Sequence, residues 1–559
     1  MGTSVYTNIF FMLGGIAVLM LGMKMMGSNL EQIAGNNMKK MLGKVTSNRF
    51  AGVAIGAGVT AIINSSTATT VMLVGFVNVG LLTLSQAASV IMGANIGTTV
   101  TTLIMALSGG TGIDVAAYAA LICALGTICT MFTKKDKVRK FGNILIGIGL
   151  IFVGLKIMSV SVDFIVWEDK ANKVFRFEWI KTLLQGNIFP LLLILIGIVL
   201  TAVVHSSAAV TGILIALGSA INFQTAVFII LGSNIGTCIT SLVSSIGTST
   251  NARRTAVIHL LFNVFGCLIC IAPAWIWGNE LGDFMQSIIG SSMEWKIAIF
   301  HTAFNLLTTA ILLPFLKPLV RLAEKIVPEK KTEQAKKHTL TFIDNRLLQT
   351  PPIAVSNTKK EIIKMAGIAK ENLDIATDML ISRNVEKEEL LRDNEAALNF
   401  LNRSITSFLT KVMGTPITSA DEKKLGSYYH VVSDIERIGD YSENLMEYTQ
   451  KMIKEELEFS DEAKAELSEV ATTLSSLFYS SLEVFTNKDV SLLSEVDILE
   501  ESVDQASREL ENRHVERLKK GECDPNTGSV YLQTVSDLER IGDHITNIAY
   551  SIKNYRHRS

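Results

Sequence analysis

The sequence predicts an all-α chain: a polytopic membrane protein with inverted repeats and two re-entrant hairpins, followed by a cytoplasmic domain of six helices. Three observations predict it. Charge is partitioned, because from Ala51 to Thr133 the only Asp, Glu, Lys or Arg is Asp114, and from Thr182 to Ala252 there is none. Beyond about Lys317 the same residue types become dense at helical spacing. Blocks of the apolar half recur in one order, and so do two segments of the charged half, SDIERIGD at Ser433–Asp440 and SDLERIGD at Ser536–Asp543. The formal net charge of −1 averages two unlike halves, so it gives no reason to expect nucleic acid as a partner. Cys123, Cys129, Cys238, Cys267 and Cys270 lie in apolar text and Cys523 in charged text, which suggests free thiols and no disulfide framework.

The first element is a span over Ile9–Met26. The chain starts MGTSVYTN, without a basic n-region or a small-residue cleavage site, so this span is read as retained. Gly14–Met26 resembles Gly147–Met158, pairing Gly22 with Gly154 and Lys24 with Lys156. Further on, TAIINSSTATT from Thr60 matches TAVVHSSAAVT from Thr201, and GANIGTTVTT from Gly93 matches GSNIGTCITS from Gly232. These blocks define a first membrane repeat, residues 1–140, and a second with an extra span, residues 141–322.

Topology follows from basic residues, which gather on the cytoplasmic side of short loops. Lys134, Lys135, Lys137, Arg139 and Lys140 mark one such loop, Arg253 and Arg254 a second, and Lys317 and Arg321 open the charged domain. Apolar spans near 143–161, 222–246, 254–276 and 296–316 then alternate in direction, and Glu280, Asp283 and Glu294 fall outside. The stretch Asn187–Ile221 must then enter from outside and return there, its short limbs meeting at His205, Ser206 and Ser207. By the same logic Lys39, Lys40, Lys44 and Arg49 are cytoplasmic, the N-terminus is outside, and the hairpin turning at Asn64–Thr67 enters from inside. The two copies are inverted, with about seven crossings and an amphipathic interfacial stretch near Ser28–Lys44. A linker at 323–358 holds the Pro351, Pro352 pair, and residues 359–555 read as six amphipathic helices in two groups of three.

Breaking a helix inside a bilayer strands backbone N–H and C=O groups at several kcal/mol each, so a break needs a reason. At the hairpin tips stand Asn64, Ser65, Ser66, Thr67 and Thr69 in one copy, and His205, Ser206, Ser207 and Thr211 in the other. Hydroxyls donate to an anion's oxygens and offer their own oxygen to a hard cation such as sodium. Half-helix N-termini add partial positive charge for the anion. The GANIGTT and GSNIGTC segments supply further breaks, with Asn95, Thr98, Asn234 and Thr237 facing the same midplane. Close helix packing is the alternative use of Ser, Thr and Gly, but matched positions in two copies favour a binding site. A dianion there requires co-bound cations, since the spans hold almost no Lys or Arg.

Other features carry less. His259 with Asn263 and His301 with Asn305 have i, i+4 spacing, read as interhelical hydrogen bonding. Lys24 and Lys156 are expected to snorkel to the interface. In the charged domain Glu436 with Asp440, Glu500 with Asp504 and Glu539 with Asp543 each present two carboxylates on one face, able to hold a divalent or ferric ion or to pair with Arg437 and Arg540. The corresponding first-half pair, Glu395 with Asn399, has lost a carboxylate.

On the paired serine hairpins, the paired GxNIGT segments, the HxxFN helices and the paired ERIGD helices, the chain resembles the bacterial type II sodium/phosphate cotransporter family fused to a PhoU-type domain. The family's hairpin motif begins with Gln and three serines; here Asn64 and His205 replace the Gln, and Thr67 and Ala208 the third serine. The resemblance implies phosphate and sodium held at Asn64–Thr67 and His205–Ala208, and a six-helix PhoU-like domain that binds metal and restrains or senses uptake. The resulting expectation is a secondary transporter, not an enzyme, coupling sodium to inorganic phosphate across a prokaryotic cytoplasmic membrane, with the C-terminal domain inside. A cytoplasmic regulatory protein and a second copy of the chain are candidate partners. The rival readings are a transporter or exporter of another oxyanion, and a membrane-anchored phosphate-signalling protein.

Overall fold

The structure is a computed structural model that describes residues 5–43, 48–108, 115–172, 174–186, 188–329 and 339–553. It divides into two compact units, Met1–Lys331 and Thr332–Ser559.

The first unit begins with α1 (Val5–Gly43), the hairpin α2 (Arg49–Ile63) and α3 (Ser66–Asn78), then α4 (Leu84–Ala106) and α5 (Val115–Met131). The second copy runs α6 (Asp136–Val166), a two-stranded ribbon β1 (Trp167–Asp169) and β2 (Val174–Phe175), and α7 (Glu178–Gln185). It continues with the hairpin α8 (Pro190–Val204) and α9 (Ser207–Leu217), then α10 (Phe223–Ser244), α11 (Thr250–Ile276), α12 (Gly278–Ile289), α13 (Met293–Leu312) and α14 (Leu316–Ile326). Six of these, α1, α4, α6, α10, α11 and α13, are long and apolar enough to cross a membrane. The seventh expected crossing falls on α5, a shorter apolar helix whose Leu121, Leu125 and Ile128 point outward at 49–55% exposure. The expected interfacial stretch near Ser28–Lys44 falls on the second half of α1, which runs without interruption to Gly43. Lys44 and Asp114 lie outside the described residues.

Inversion of the repeats can be read from one helix pair. A Cβ on Gly22 would meet the Gly147 carbonyl at 2.7 Å and one on Gly147 would meet the Gly22 carbonyl at 2.7 Å; Gly15 and Gly154 face each other in the same way at 3.0 and 2.8 Å. Any side chain at these four positions would separate α1 from α6. Because Gly15 and Gly22 are the sequence equivalents of Gly147 and Gly154, the contact is self-complementary, as a twofold axis requires. The two helices run antiparallel, so the copies are related by an axis perpendicular to them.

Each hairpin leans on a span that runs in the direction of its first limb. Gly93 and Gly97 of α4 pack on Val53 and Ala57 of α2, and Gly232 and Gly236 of α10 pack on Ile194 and Ile198 of α8. A Cβ at Gly97 would sit 2.7 Å from Thr60 Cβ, and one at Gly236 would sit 2.7 Å from Thr201 Cβ. This corrects the expectation of helix breaks at GANIGTT and GSNIGTC: α4 and α10 pass through both without interruption, because the glycines serve close backbone approach and not a turn.

Hydrogen bonds place the helix ends at two levels. At one level Arg49 Nη1 donates to Leu313 O at 3.2 Å and Ser249 N to Asn78 Oδ1 at 2.8 Å. The feet of the α2/α3 hairpin therefore lie with the basic α10–α11 loop and the α13–α14 junction. At the other level Asn222 N donates to Leu184 O at 3.0 Å, Gln185 Nε2 to Ala220 O at 3.2 Å and Gln224 Nε2 to Ala274 O at 3.0 Å. The feet of the α8/α9 hairpin lie there, with α12 and its Glu280 and Asp283. The two hairpins thus enter the bundle from opposite ends.

The second unit is two three-helix bundles, α15 (Pro351–Ser382), α16 (Glu388–Met413) and α17 (Ser419–Lys454), then α18 (Asp461–Asn487), α19 (Leu493–Lys519) and α20 (Pro525–Tyr550), joined through α15 against α18 and α17 against α20. The Pro351, Pro352 pair starts α15 and does not lie in a linker as expected: proline fits the first helical turn, where its missing N–H has no partner to lose.

Candidate functional site

Both hairpin tips are built alike. Asn64 ends α2 with φ 58° and ψ 28°, and His205 ends α8 with φ 56° and ψ 24°. The left-handed region costs a residue with a side chain roughly 1–2 kcal/mol, and glycine is the usual occupant of such a helix end. A side chain is kept here because it makes a bond. Thr101 Oγ1 donates to Asn64 Oδ1 at 2.9 Å, and Thr240 Oγ1 pairs with His205 Nδ1 at 3.1 Å, so each tip is tied to equivalent positions on α4 and α10.

The next residue caps the returning limb. Ser65 Oγ accepts from Ala68 N at 3.1 Å and Ser206 Oγ accepts from Ala209 N at 3.2 Å. Ser66 and Ser207 then open α3 and α9, where the first helical N–H groups lack an intrahelical acceptor and the helix dipole is positive.

These tips meet. One cavity of about 300 Å³ is lined by Asn64, Ser65, Ser66 and Thr67 from the first hairpin, by His205, Ser206, Ser207 and Ala208 from the second, and by Thr98 of α4. Its remaining wall is α1, through Met20, Met23, Lys24, Gly27, Ser28 and Glu31. Gly27 lets α1 lie directly on Ile63, the last residue before the first tip. Lys24, itself exposed, also lines the cavity, whereas its counterpart Lys156 is exposed and does not.

The other expected residues stand behind this wall. Thr69 Oγ1 accepts from Thr60 Oγ1 at 3.0 Å and donates to Ser65 O at 3.0 Å, tying the limbs of the first hairpin. Thr211 Oγ1 donates to Ser207 O at 2.9 Å. Asn95 Nδ2 donates to Ile91 O at 3.0 Å, and Asn234 Nδ2 to Ile230 O at 2.9 Å, while Thr237 Oγ1 donates to Asn234 O at 2.6 Å. His301 bridges the repeats, with Nδ1 3.2 Å from Thr102 Oγ1 and Nε2 3.4 Å from Asn234 Oδ1. His259 Nδ1 lies 3.2 Å from Ser241 Oγ. The HxxFN histidines thus hydrogen-bond between helices. The α1 wall was missed from the sequence, although Lys24, Ser28 and Glu31 at i, i+4 and i+7 are polar residues on one face of an otherwise apolar helix.

In the second unit, Glu500 and Asp504 of α19 and Asp543 of α20 bring carboxylate oxygens within 4.8 Å of one another. Burial, then Asp504 and Asp543, push the Glu500 carboxyl above its ordinary range, and burial, then Asp543, does the same for Glu539. Crowded like charges of this kind suit a hard cation. Glu436 and Asp440 do not join such a group among the described residues. They face Glu395, whose Oε1 accepts from Asn399 Nδ2 at 2.9 Å and whose Oε2 is buried without a partner. Burial first, then Asp440, Glu443 and Glu436, raise Glu395 to about 7.

Two hairpins whose tips close one polar cavity between inverted repeats define a membrane transporter core, followed in the chain by a six-helix unit. The Na+/Pi-cotransporter family profile matches residues 18–160 and 169–311, and the PhoU domain profile matches 362–449 and 467–552. The chain belongs to the Na+/Pi-cotransporter family and carries a PhoU domain. It is 24% identical over 553 residues, 98% of this chain and 97% of the relative, to YjbB of Escherichia coli (strain K12), a candidate inorganic phosphate export protein. It is 28% identical over 318 residues, 56% of this chain and 97% of the relative, to the uncharacterized protein YqeW of Bacillus subtilis (strain 168). PhoU from Pseudomonas aeruginosa aligns over 36% of this chain and 97% of its own, at 19% identity and a TM-score of 0.35.

Proposed function

We propose that the membrane unit couples sodium to the movement of inorganic phosphate across a prokaryotic cytoplasmic membrane, with the cavity between the hairpin tips as the site that carries both. The observation behind this reading is that two hairpins from opposite ends of the bundle present hydroxyls and helix N-termini to one space. Ser65, Ser66, Thr67, Ser206 and Ser207 donate to the anion's oxygens, and the Asn64 and His205 side chains hold the tips in place. Thr98 joins these hydroxyls from α4, while Thr69, Asn95, Thr211, Asn234 and Thr237 act mainly by bracing the hairpins and their supporting spans.

Charge explains the coupling. Lys24 is the one basic chain of the cavity wall and Glu31 opposes it, so a phosphate dianion entering alone would bring uncompensated charge into a low-dielectric space. Two unit charges about 4 Å apart interact by about 4 kcal/mol at an effective dielectric of 20, so bound sodium offsets a cost of that order. The basic loops at the level of the first hairpin's feet face the cytoplasm, which puts the N-terminus outside and the PhoU unit inside. Within that unit Glu500, Asp504 and Asp543 hold a divalent or ferric ion, and the unit restrains or reports on transport. An exporter running the same cycle outward is the second reading, favoured by the name of the full-length Escherichia coli relative.

Flux of radiolabelled phosphate and arsenate in proteoliposomes, with sodium replaced by choline, tests both parts. Phosphate flux that collapses without sodium is expected. Sodium-independent flux removes the coupling, and flux of arsenate without phosphate removes the substrate.

A further inference from the structure

Glu31 enters the reading above only as the charge opposite Lys24, yet it belongs to the cavity itself. It lines the same space as both hairpin tips, and its Oε1 is buried without a hydrogen-bond partner. Its position follows from helix geometry, since Gly27, one turn earlier on the same face, packs against Ile63 at the first tip. The internal repeat makes the contrast plain. The equivalent residue on α6 is Asp163, which is half-buried and ion-paired with Lys170 at 2.6 Å. Glu31 sits in an anion's cavity with an oxygen unused, where a negative charge opposes the ligand.

Few charged neighbours could neutralise it. On its own helix the cavity holds Lys24, and the second tip brings His205. The α2 helix carries only Arg49, which donates to Leu313 O, and α3, α4 and α9 have no titratable side chain. The α6 helix, packed along α1, carries Asp136 and Lys140, paired with each other at 2.6 Å, together with Lys137, Arg139, Lys156 and Asp163.

The geometry points to Glu31 as the carboxylate that must take up a monovalent cation, a proton or sodium, before phosphate can occupy the cavity. This rests on the cavity being the phosphate site. An ionised, empty-handed Glu31 repels the anion; a protonated or sodium-bound one does not. Anion affinity is therefore linked to cation occupancy at this one residue.

The test is radiolabelled phosphate binding to the full-length protein in nanodiscs at pH 8.5 and 6.5 in choline, and at pH 8.5 in sodium. For the unaltered chain, affinity should rise at least tenfold on adding sodium or acid, beyond the change due to phosphate's own ionisation, which all variants share. Whichever of the two additions restores affinity identifies the cation. Glu31→Gln, a neutral mimic, should bind within about twofold under all three conditions, and Glu31→Asp should keep the dependence. Retention of the full dependence by Glu31→Gln, or loss of binding by it in every condition, overturns the proposal. If Glu31→Gln is not monodisperse, carbodiimide labelling of Glu31 in the unaltered chain gives the same information: sodium should suppress it several-fold, and indifference to sodium and pH overturns the proposal. Failure of the underlying reading looks different, because Ser66→Ala and Ser207→Ala would then bind phosphate as the unaltered chain does.

Discussion

Asn64 Oδ1 accepts a hydrogen bond from Thr101 Oγ1 at 2.9 Å, and 141 residues further along His205 Nδ1 meets Thr240 Oγ1 at 3.1 Å. The two tips thus share a left-handed backbone and a tether to a parallel span, although their side chains differ. Replacing Asn64 with Gly removes the backbone strain together with the tether. Asn64→Gly should leave the thermal midpoint nearly unchanged, Thr101→Val should lower it because Asn64 Oδ1 then stays buried without its donor, and each should weaken phosphate uptake about tenfold. In a double-mutant cycle the two changes together should cost little more than either alone.

A second prediction concerns the inverted pair α1 and α6. Gly14 and Gly22 lie on the same helix, but a Cβ at Gly14 meets nothing within 4 Å and one at Gly22 meets the Gly147 carbonyl at 2.7 Å. Gly22→Leu should therefore destabilise the membrane unit by ~3 kcal/mol through overpacking. Gly14→Leu should be neutral or stabilising by up to ~1 kcal/mol, from helix propensity. Thermal unfolding of the purified protein in detergent separates them.

The third prediction is a pH dependence in the six-helix unit. Glu395 is raised from 4.5 to about 7 by burial and then by Asp440, Glu443 and Glu436. The folded state therefore binds a proton more tightly than the unfolded one. Stability is greatest below about pH 4.5, falls as pH rises towards 7 and levels off above it. At pH 8 the penalty is on the order of 2 kcal/mol, allowing for partial solvation. Glu395→Gln should remove it, so hydrogen exchange of α16 amides in the full-length protein should slow at pH 8 and match the unaltered chain near pH 5.

The fourth concerns metal. Asp504→Asn or Asp543→Asn should lower the affinity for manganese or ferric iron at least tenfold in equilibrium dialysis of the full-length protein, because each removes one of three clustered carboxylates. Glu436→Gln should leave that affinity unchanged.

Much of this architecture was legible in the sequence for a physical reason. Inverted repeats leave matched text, since the same local chemistry at Ser65 and Ser206 must cap the same kind of broken helix twice. Basic loops carry direction, and both hairpins enter from the ends that those loops imply. What the sequence hid were the uses of residues with two chemistries. The glycines of GANIGTT and GSNIGTC looked like breaks, but they are contact points inside straight helices, and only the backbone of a neighbouring limb tells the two apart. Lys24 looked like an interfacial anchor because its neighbours are apolar. The cavity beside it is created by hairpins distant in sequence. Asn95, Asn234 and Thr237 share a motif with Thr98, yet Thr98 alone of the four reaches the cavity, a matter of helix rotation that repeat matching does not encode.

The measurement closest to the central claim uses single cysteines at Thr67 and Ala208, one on each hairpin, in a chain lacking its six native cysteines. Alkylation by a small maleimide is followed in nanodiscs as phosphate is added in the presence of sodium. Both Thr67→Cys and Ala208→Cys should be protected over the same phosphate range, and protection should disappear in choline. Protection of one position without the other would mean that the two hairpins do not enclose the same anion.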